Sequence, residues 1–379
     1  MRLLIVDDTA LYRKLLTDAA TPLAGVEVAG AVSSGPLALA RLAAEPIDLV
    51  LLDVFMPEMN GPEVLAIIRR DFPKVAVVMI SGATGADASI TINTLANGAL
   101  DFIPKPQTTS FAEGMTRLRG QLQHVVNMVN LRRINTAPAA PRTAPAPTAL
   151  GAAATASGLF GNRVATAPAP ATPAQPTRRR VLPPATLDIL LIGVSTGGPR
   201  TLQDLLPGLP ADFRLPVVIV QHMPPLFTRT LAEQLDKVCN LRVSEAVDGE
   251  RVVAGRILIA PGGRHLEIIR DAEGSLITRL TDAAPVNSCR PAVDVLFNSA
   301  SRCALRGALS LILTGMGEDG AAGVATLKAA LPTWSIAQDE ATSVIYGMPQ
   351  AVVRRQLEDE ILALPAIAPR LTELARSRQ

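Results

Sequence analysis

One serine of the sequence lies in a turn that could expose it as a nucleophile. The segment Gly193-Val194-Ser195-Thr196-Gly197 fits the pattern G-x-S-x-G and directly follows an apolar run at residues 189–192. Small residues on both sides of Ser195 permit a sharp strand-to-helix turn that presents the hydroxyl and leaves backbone N–H groups free. The same glycine-rich turn before a helix could instead cradle a phosphate. The pattern alone therefore leaves nucleophilic catalysis and phosphate binding open.

A nucleophilic serine needs a base within hydrogen-bond reach, and the sequence contains only three histidines. His222 closely follows an apolar run at residues 217–220, so we expect it at the same sheet edge as Ser195. His265 lies in a glycine-rich loop that could also approach the serine. His124 lies in a polar helical stretch, and we expect it on the surface. The positions favour His222 as the base and keep His265 as the alternative.

An acid that orients the imidazole should also follow a strand. The segment Thr314-Gly315-Met316-Gly317-Glu318-Asp319-Gly320 follows an apolar run at residues 309–313, and its glycines give Asp319 the freedom to reach a histidine. Glu318 is the adjacent alternative, and position in the sequence favours neither residue strongly as the orienting acid. The resulting order of serine, histidine and acid differs from the order in ordinary α/β-hydrolases. We therefore expect triad geometry on a different fold.

A second group of reactive residues lies in the first third of the sequence. Asp7 and Asp8 follow the first apolar run, Asp53 the third, Ser81 the fourth and Lys105 the fifth. The carboxyl ends of parallel strands meet at one edge of a sheet, so these side chains should converge. Crowded carboxylates repel one another and call for a hard cation such as Mg²⁺, after which Asp53 could accept a phosphoryl group. The alternative is that Asp7 and Asp53 only cap helices.

The elements that position both groups are apolar runs separated by amphipathic stretches. Continuous apolar runs are typical of strands buried on both faces of a parallel sheet. We predict two α/β units, the first a doubly wound sheet like that of flavodoxin and the second a mainly parallel sheet. Strands are predicted at 3–6, 26–29, 49–52, 75–80 and 100–103 in the first unit and at 189–194, 217–220, 257–260 and 309–313 in the second, with helices of the second unit near 201–206, 228–237 and 293–303.

An Ala/Pro-rich stretch separates the two units. Its prolines remove backbone donors and hold the chain extended, which is typical of a semi-stiff spacer. We therefore predict a first domain at 1–131, a flexible linker at 132–184 and a second domain at 185–379. Between Glu113 and Asp188 the sequence has nine arginines and no acidic residue, and removing these nine charges from a formal net charge of +2 leaves −7 elsewhere. Nucleic-acid binding would need basic residues on a folded recognition element, which the sequence does not offer.

Cysteine spacing and the N-terminal residues indicate the cellular compartment. The three cysteines show no C-x-x-C spacing, so neither a disulfide framework nor a zinc site is indicated. Asp7 and Asp8 interrupt the first apolar run far below the length of a signal peptide or a membrane span. We therefore expect a cytoplasmic protein without membrane insertion.

The first unit resembles the receiver domain of bacterial response regulators. The resemblance rests on Val6-Asp7-Asp8, on Asp53-Val54-Phe55-Met56-Pro57-Glu58-Met59-Asn60-Gly61 and on Pro104-Lys105-Pro106. It implies phosphorylation of Asp53 by a histidine kinase and Mg²⁺ held by Asp8, Asp53 and the Phe55 carbonyl. Asp7 would assist this site, and Phe102 would be the switch aromatic. Ser81 and Lys105 would contact the phosphate.

The second unit resembles the catalytic domain of chemotaxis protein-glutamate methylesterases. The resemblance rests on the serine segment and on Gln221-His222-Met223-Pro224, Arg290-Pro291-Ala292-Val293-Asp294-Val295-Leu296-Phe297 and Tyr346-Gly347-Met348-Pro349. It implies that Ser195 is the nucleophile, His222 the base and Asp319 the orienting acid. Thr196 and the Met316 backbone would belong to the oxyanion region.

This resemblance also implies substrates, partners and a regulatory role. The substrates would be glutamate methyl esters of chemoreceptors, with release of methanol and no cofactor for ester hydrolysis, and specific receptor glutamines would be deamidated. The phosphoryl donor would be a chemotaxis histidine kinase, and we hypothesise that the unphosphorylated receiver covers the esterase site. The rival hypothesis is a non-enzymatic regulator whose glycine-rich turn binds a phosphate or nucleotide and needs neither His222 nor Asp319.

Overall fold

A computed structural model describes residues 1–82, 84–105, 110–136 and 182–376, with the side chains of residues 132–136 left out. Most of the predicted linker at 132–184 therefore lies outside the described residues, and the domain boundaries at 131 and 185 stay predictions. Residues 1–135 and 183–379 form one compact unit. None of the helices within the described ranges is long and apolar enough to cross a membrane.

The N-terminal part is a five-stranded parallel sheet flanked by helices, which confirms the predicted fold class. The strand order is β2-β1-β3-β4-β5, the doubly wound order of flavodoxin-like folds. This topology directs the loops after β1, β3, β4 and β5 to one edge. The elements are β1 (Arg2–Val6), α1 (Ala10–Ala20), β2 (Glu27–Val32), α2 (Gly35–Ala44), β3 (Leu49–Asp53), α3 (Gly61–Asp71), β4 (Ala76–Ser81), α4 (Gly85–Ala96), β5 (Asp101–Pro104) and α5 (Phe111–Thr136).

Local sequence chemistry fixes where the loop after β3 ends. Asn60 caps α3 because its side chain accepts a hydrogen bond from the Glu63 N–H, while the Glu63 carboxylate accepts one from the Asn60 N–H. This reciprocal pair is a capping box, which satisfies two backbone donors that the helix cannot pair. The cap holds the segment between Asp53 and the helix in a defined path.

The C-terminal part contains a seven-stranded parallel sheet in the order β14-β13-β12-β6-β7-β9-β8 and a separate antiparallel hairpin of β10 and β11. The three neighbouring strands β12, β6 and β7 lie at its centre. The elements are β6 (Ile189–Val194), α6 (Gly198–Leu205), β7 (Val217–Gln221), α7 (Phe227–Asp236), β8 (Arg242–Glu245), β9 (Arg256–Ile259), β10 (His265–Arg270), β11 (Leu276–Thr281), α8 (Val293–Ala300), β12 (Ala308–Ile312), α9 (Ala321–Ala330), β13 (Thr333–Gln338), α10 (Met348–Arg354), β14 (Glu360–Leu362) and α11 (Leu364–Arg376).

The core explains why these strands form. β6, β7 and β12 are fully buried along their lengths, as their apolar runs predict. Strand β13 was not among the predicted strands because its buried residues include Ser335 and Gln338, which interrupt the apolar run. The Gln338 side chain is satisfied by Thr314 N–H and by the Thr342 carbonyl. A buried polar residue with such partners is tolerated inside a sheet.

The two parts are joined by contacts of β5, α4 and α5 with α7 and with the segment around Ile345. The rings of Phe102 and Phe227 lie 4.3 Å apart between centroids, and the Gln234 amide donates to the Ser89 carbonyl at 3.1 Å. Ile345 belongs to the same buried cluster as apolar side chains of α5. The receiver-like part therefore contacts the segments that surround Ser195.

Candidate active site

Ser195 lies in the turn between β6 and α6, at the carboxyl edge of the central sheet. Its N–H donates to the Thr314 carbonyl at 3.0 Å, and the Gly198 N–H returns to the Ser195 carbonyl at 2.8 Å. Gly197 caps α6 with φ of 78°, a left-handed conformation that favours glycine. A side chain at position 197 would also lie 2.6 Å from Val344. The turn therefore depends on the glycine that the sequence pattern identified.

His222 and Asp319 come together from the ends of two other central strands. His222 follows β7, and Asp319 lies between β12 and α9. Nε2 of His222 lies 2.8 Å from Oδ2 of Asp319, and both side chains are largely buried. Nδ1 of the same ring contacts the Cys289 thiol at 3.6 Å. Because Nε2 is bonded to the acid, Nδ1 is the nitrogen left to act as a base.

The surroundings of His222 change its protonation. Burial lowers the pKa of His222, but the hydrogen bond to Asp319 and the contact with Cys289 outweigh burial and raise that pKa to about 9. A charged partner stabilises the imidazolium, as expected for a histidine beside a carboxylate. In this arrangement the ring is mostly protonated at neutral pH.

Ser195 and His222 line the same cavity of about 790 Å³. Within the described residues Ser195 Oγ has no hydrogen-bond partner, and the residue is 8% exposed. The cavity wall also includes Cys289 and Arg290 of the catalytic part, and Arg117 and His124 of α5.

Asp319 receives hydrogen bonds on both carboxylate oxygens. Oδ2 accepts from the Val293 N–H at 2.7 Å in addition to His222, and Oδ1 accepts from the Asp294 N–H at 3.1 Å and from the Asn287 amide at 2.9 Å. Burial raises the pKa of Asp319, but these hydrogen bonds and the charge of His222 hold it below its ordinary value. The acid is therefore ionised and fixed in direction.

The structure shows where the alternative residues left open by the sequence lie. The Glu318 carboxylate is exposed and pairs with Arg355 at 2.7 Å, away from the imidazole. His265 is fully buried, its Nδ1 accepts from the Ala292 N–H and its Nε2 bonds the Ala284 carbonyl. Both ring nitrogens of His265 are thus used in holding the loop before α8. The geometry supports His222 and Asp319.

His124 is exposed, as expected, yet it lines the cavity from α5. Although the residue as a whole is exposed, the protein around its ring partly desolvates the imidazole, and this desolvation and then the charge of His222 lower the pKa of His124. Sequence reasoning did not identify Asn287, Asp294 or Cys289 as neighbours of the triad. Asn287 and Cys289 lie in an irregular loop and Asp294 lies in the first turn of α8, so no periodicity indicates their direction.

The predicted oxyanion residues lie beside the serine. Met316 lines the cavity, and Thr196 follows the nucleophile directly. The Thr196 hydroxyl donates to Oδ2 of Asp101 at 3.3 Å and contacts the Met128 sulfur at 3.1 Å. Both partners belong to the N-terminal part. Residues of β5 and α5 therefore reach the immediate neighbour of Ser195.

The acidic residues of the N-terminal sheet form a compact cluster. Oxygens of Asp7, Asp8 and Asp53 lie within 4.8 Å of one another. Nζ of Lys105 lies 2.9 Å from Oδ1 of Asp53 and 3.1 Å from Oδ2 of Asp7. Burial and the charge of Asp7 raise the pKa of Asp53 to about 6, although Lys105 opposes this. Three crowded carboxylate oxygens are the donor set that Mg²⁺ prefers, so the residues present fit this ion.

The other predicted receiver residues surround this cluster or connect it with the second part. Ser81 Oγ accepts a hydrogen bond from the Thr91 hydroxyl at 2.6 Å. Phe55 lies two residues beyond Asp53 and its side chain is 50% exposed. Phe102 packs on Phe227 of α7. The predicted switch aromatic is therefore part of the contact between the two parts.

Comparisons with known proteins assign both parts to families. A family described as CheB methylesterase matches residues 190–371, and the response regulator receiver domain matches residues 3–114. These two ranges fall on the two parallel sheets described above.

Relatives match over the whole chain. A protein of Desulfotalea psychrophila named protein-glutamate methylesterase/protein-glutamine glutaminase is 37% identical over 385 residues, covering 99% of this chain and 99% of the relative. A protein of the same name from Nocardioides is 40% identical over 381 residues, covering 100% of this chain and 96% of the relative. The crystal structure of the Thermotoga maritima CheB methylesterase catalytic domain is 40% identical with a TM-score of 0.48, and it covers 50% of this chain and 99% of that one.

Proposed function

The chain belongs to the CheB family of methylesterases with a receiver domain, and we propose that it hydrolyses glutamate methyl esters of chemoreceptors with Ser195 as nucleophile. The observation that supports this assignment most is the partner set of His222. Its Nε2 is bonded to Asp319, and its Nδ1 lies against Cys289 in the cavity that Ser195 also lines. An activated serine needs a base that is itself oriented by a third group, and the bond between His222 and Asp319 supports that role for His222.

The proposed reaction uses one proton shuttle. Ser195 Oγ attacks the side-chain ester carbonyl, and Nδ1 of His222 takes the hydroxyl proton and returns it to the departing methoxide, which leaves as methanol. Backbone donors near Thr196 and Met316 stabilise the oxyanion. Water then attacks the acyl-enzyme, His222 accepts its proton and returns it to Ser195, and the glutamate carboxylate is released. A glutamine side chain would follow the same route with ammonia as leaving group, so deamidation belongs to the proposal.

The receiver part supplies the control of this activity in our proposal. Asp53 accepts a phosphoryl group from a chemotaxis histidine kinase, and Lys105 and Ser81 contact its oxygens. Asp7, Asp8 and Asp53, with the Phe55 carbonyl, would hold Mg²⁺, which neutralises charge on the transferring group when bound. Ester hydrolysis itself is proposed to need no cofactor. A cytoplasmic location stays a prediction.

We also propose that the unphosphorylated receiver restrains the esterase. Asp101 engages the hydroxyl of Thr196, and Phe102 packs on Phe227, so β5 lies against the surroundings of the nucleophile. Phosphorylation of Asp53 would weaken this docked state. A tenfold shift in population needs a differential stability of only about 1.4 kcal/mol.

The assignment is tested by methanol release from methylated chemoreceptor segments. Ser195→Ala and His222→Ala should each lower the rate by about a thousandfold or more, because serine and base act as a unit. Ser275→Ala, in the turn of the β10–β11 hairpin, is the matched control and should leave the rate unchanged. Ammonia release from segments that carry glutamine, measured in parallel, tests deamidation. Undiminished methanol release by Ser195→Ala would exclude Ser195 as nucleophile and favour a binding role for the glycine-rich turn.

A further inference from the structure

In the catalytic part, the carboxylates of Asp319 and Asp294 each accept hydrogen bonds from backbone N–H groups at the start of a neighbouring helix. Asp319, which precedes α9, accepts hydrogen bonds from the N–H groups of Val293 and Asp294 at the start of α8. Asp294 in turn accepts from the N–H groups of Gly320 and Gly323 at the start of α9, at 3.0 and 2.6 Å. Helix N-termini present unpaired donors and a positive dipole end, so both carboxylates are stabilised as anions. We call this pair the carboxylate clasp.

The clasp brings two negative charges close together, and one amide bridges them. Nδ2 of Asn287 lies 2.9 Å from Oδ2 of Asp294 and 2.9 Å from Oδ1 of Asp319. The two oxygens are therefore less than about 6 Å apart, a separation at which like charges disfavour ionisation. Burial and then the charge of Asp319 raise the pKa of Asp294. The two N–H groups of the bridging amide are the contacts that offset this repulsion.

We propose that Asn287 is a positioning residue, whose amide keeps Asp319 ionised and turned toward His222 by bonding Asp319 Oδ1 and Asp294 Oδ2 together. The assignment rests on the proposed function, since it gives Asp319 the role of triad acid. With Oδ1 held by Asn287 and by backbone N–H, Oδ2 stays directed at Nε2 of His222. Losing the amide would free Oδ1 of Asp319, so the carboxylate could rotate and its hydrogen bond to Nε2 of His222 would weaken.

The effect of Asn287 on the base passes through Asp319. The groups that face the His222 ring are Asp319 at Nε2, the Cys289 thiol at Nδ1 and His124 of α5, whose pKa is itself lowered by burial and by the charge of His222. An Asp319 carboxylate that is no longer directed at Nε2 stabilises the imidazolium less. The His222 pKa should therefore fall when the amide is removed.

The test uses the full-length protein and Asn287→Gly. Asn287 has φ of 51°, a conformation that glycine adopts without strain, so this variant removes the amide and leaves the backbone path available. The titration of His222 is followed by ¹⁵N NMR, which is practical because the sequence has three histidines. We expect the His222 midpoint to move to lower pH and kcat/KM for methanol release to fall about ten- to a hundredfold, the range for a charge-assisted hydrogen bond.

A rescue variant separates electrostatics from loss of packing. Adding Asp294→Asn to Asn287→Gly removes the repelling charge, so the His222 midpoint should return part of the way toward the wild-type value. Asn287→Ser is a second variant should the glycine protein not fold, because Ser288 already adopts φ of 62° in the same turn. It should shift the midpoint in the same direction. Gln356→Gly is the matched control, an exposed amide residue with φ of 55° outside the site, and should change neither readout.

The midpoint of His222 decides the outcome. If it is unchanged in Asn287→Gly, or in Asn287→Ser where that variant replaces it, the proposal is overturned, even if activity falls, because a loosened loop would lower activity without changing the titration. This readout does not depend on turnover. Failure of the assigned activity would instead appear as unchanged methanol release by Ser195→Ala, so the two failures are distinguishable.

Discussion

At the scale of single residues, the two ring nitrogens of His222 have different partners, and this difference decides what the ring can do. Nε2 bonds the carboxylate of Asp319, whereas Nδ1 contacts the thiol of Cys289. The tautomer that keeps its proton on Nε2 leaves a lone pair on Nδ1, the form needed for a general base. The same contact with Asp319 also favours the protonated ring, so under the proposed mechanism His222 must lose a proton before it can act as the base.

This protonation predicts how methanol release depends on pH. The pKa of His222 is raised to about 9, and the base is active only when deprotonated, so kcat/KM should rise with pH until about pH 9. Asp319→Asn should move the midpoint to lower pH, because the carboxylate that stabilises the imidazolium is gone, while the maximal rate falls. Initial rates between about pH 6 and pH 10 check both expectations. A wild-type profile already level at pH 7 would contradict the first.

Asp101 predicts a change in basal activity. Burial raises the pKa of Asp101 to about 6, so its charged form, present above that pH, opposes the packed arrangement in which it bonds Thr196. Asp101→Asn removes the charge and keeps an oxygen that can accept from Thr196. We expect docking to strengthen and basal methanol release at pH 8 to fall by about two- to tenfold, a difference of about 1 kcal/mol.

A control variant tests this explanation of the effect of Asp101. Asp18→Asn removes an exposed carboxylate from α1, which pairs with Lys14 at the surface, and should leave basal release unchanged. An increase in basal release in Asp101→Asn would show that the carboxylate stabilises the packed state.

At the scale of elements, the turn from β6 to α6 predicts a difference between two glycine substitutions. Gly197 and Gly274 have similar φ values of 78° and 83°, so alanine at either position costs about 1–2 kcal/mol of left-handed strain. Only at position 197 would the new Cβ meet Val344 at 2.6 Å, whereas the space at 274 is open. Gly197→Ala should therefore lower the free energy of unfolding more than Gly274→Ala and should also abolish methanol release. Thermal denaturation and the methanol assay compare them, and equal losses would contradict this account of the turn.

Strand order explains how much of the site the sequence could predict. Ser195, His222 and Asp319 each follow one of three neighbouring strands, β6, β7 and β12. The apolar runs of these strands can be recognised in the sequence. Parallel strands place their carboxyl ends at one edge, so the convergence follows from the fold class. The roles of these residues stay proposals, but His222 and Asp319 do meet. Asn287 could not be predicted, because it lies in an irregular loop whose path depends on the buried ring of His265.

Other elements could not be predicted from the sequence, and the structure shows the physical reasons. The edge strands β8 and β14 have four and three residues, too few to establish a periodic pattern. The β10–β11 hairpin exposes one face and mixes charged residues into its strands. Long, continuous apolar runs such as those of β6 and β7 were readable because both faces of those strands are buried.

At the scale of the whole molecule, the contact between the two parts predicts activation by a phosphodonor. A small-molecule phosphodonor with Mg²⁺ should raise methanol release by the wild-type protein, since phosphorylation of Asp53 is proposed to weaken the packing around Phe102. Asp53→Asn should show no rise, whereas Asp18→Asn should respond as the wild type does. Methanol release before and after addition of the donor measures this. A wild-type rate that does not change, in a protein shown by mass spectrometry to be phosphorylated, would argue against restraint by the receiver.

The pairing of β6 with β12 affects the order in which the chain can fold during synthesis. Ile189 of β6 pairs with Ala308 of β12, more than about 100 positions later, while β1 pairs with β2 and β3 within the first 53 residues. Contacts of long sequence separation form slowly because loop-closure entropy must be overcome first. During synthesis on the ribosome, the N-terminal sheet can form while β6 at the centre of the second sheet still lacks its neighbour β12. A nascent chain halted before residue 308 would then carry a finished signalling module beside an unassembled hydrolase, which makes late truncations the ones that expose strand edges to aggregation.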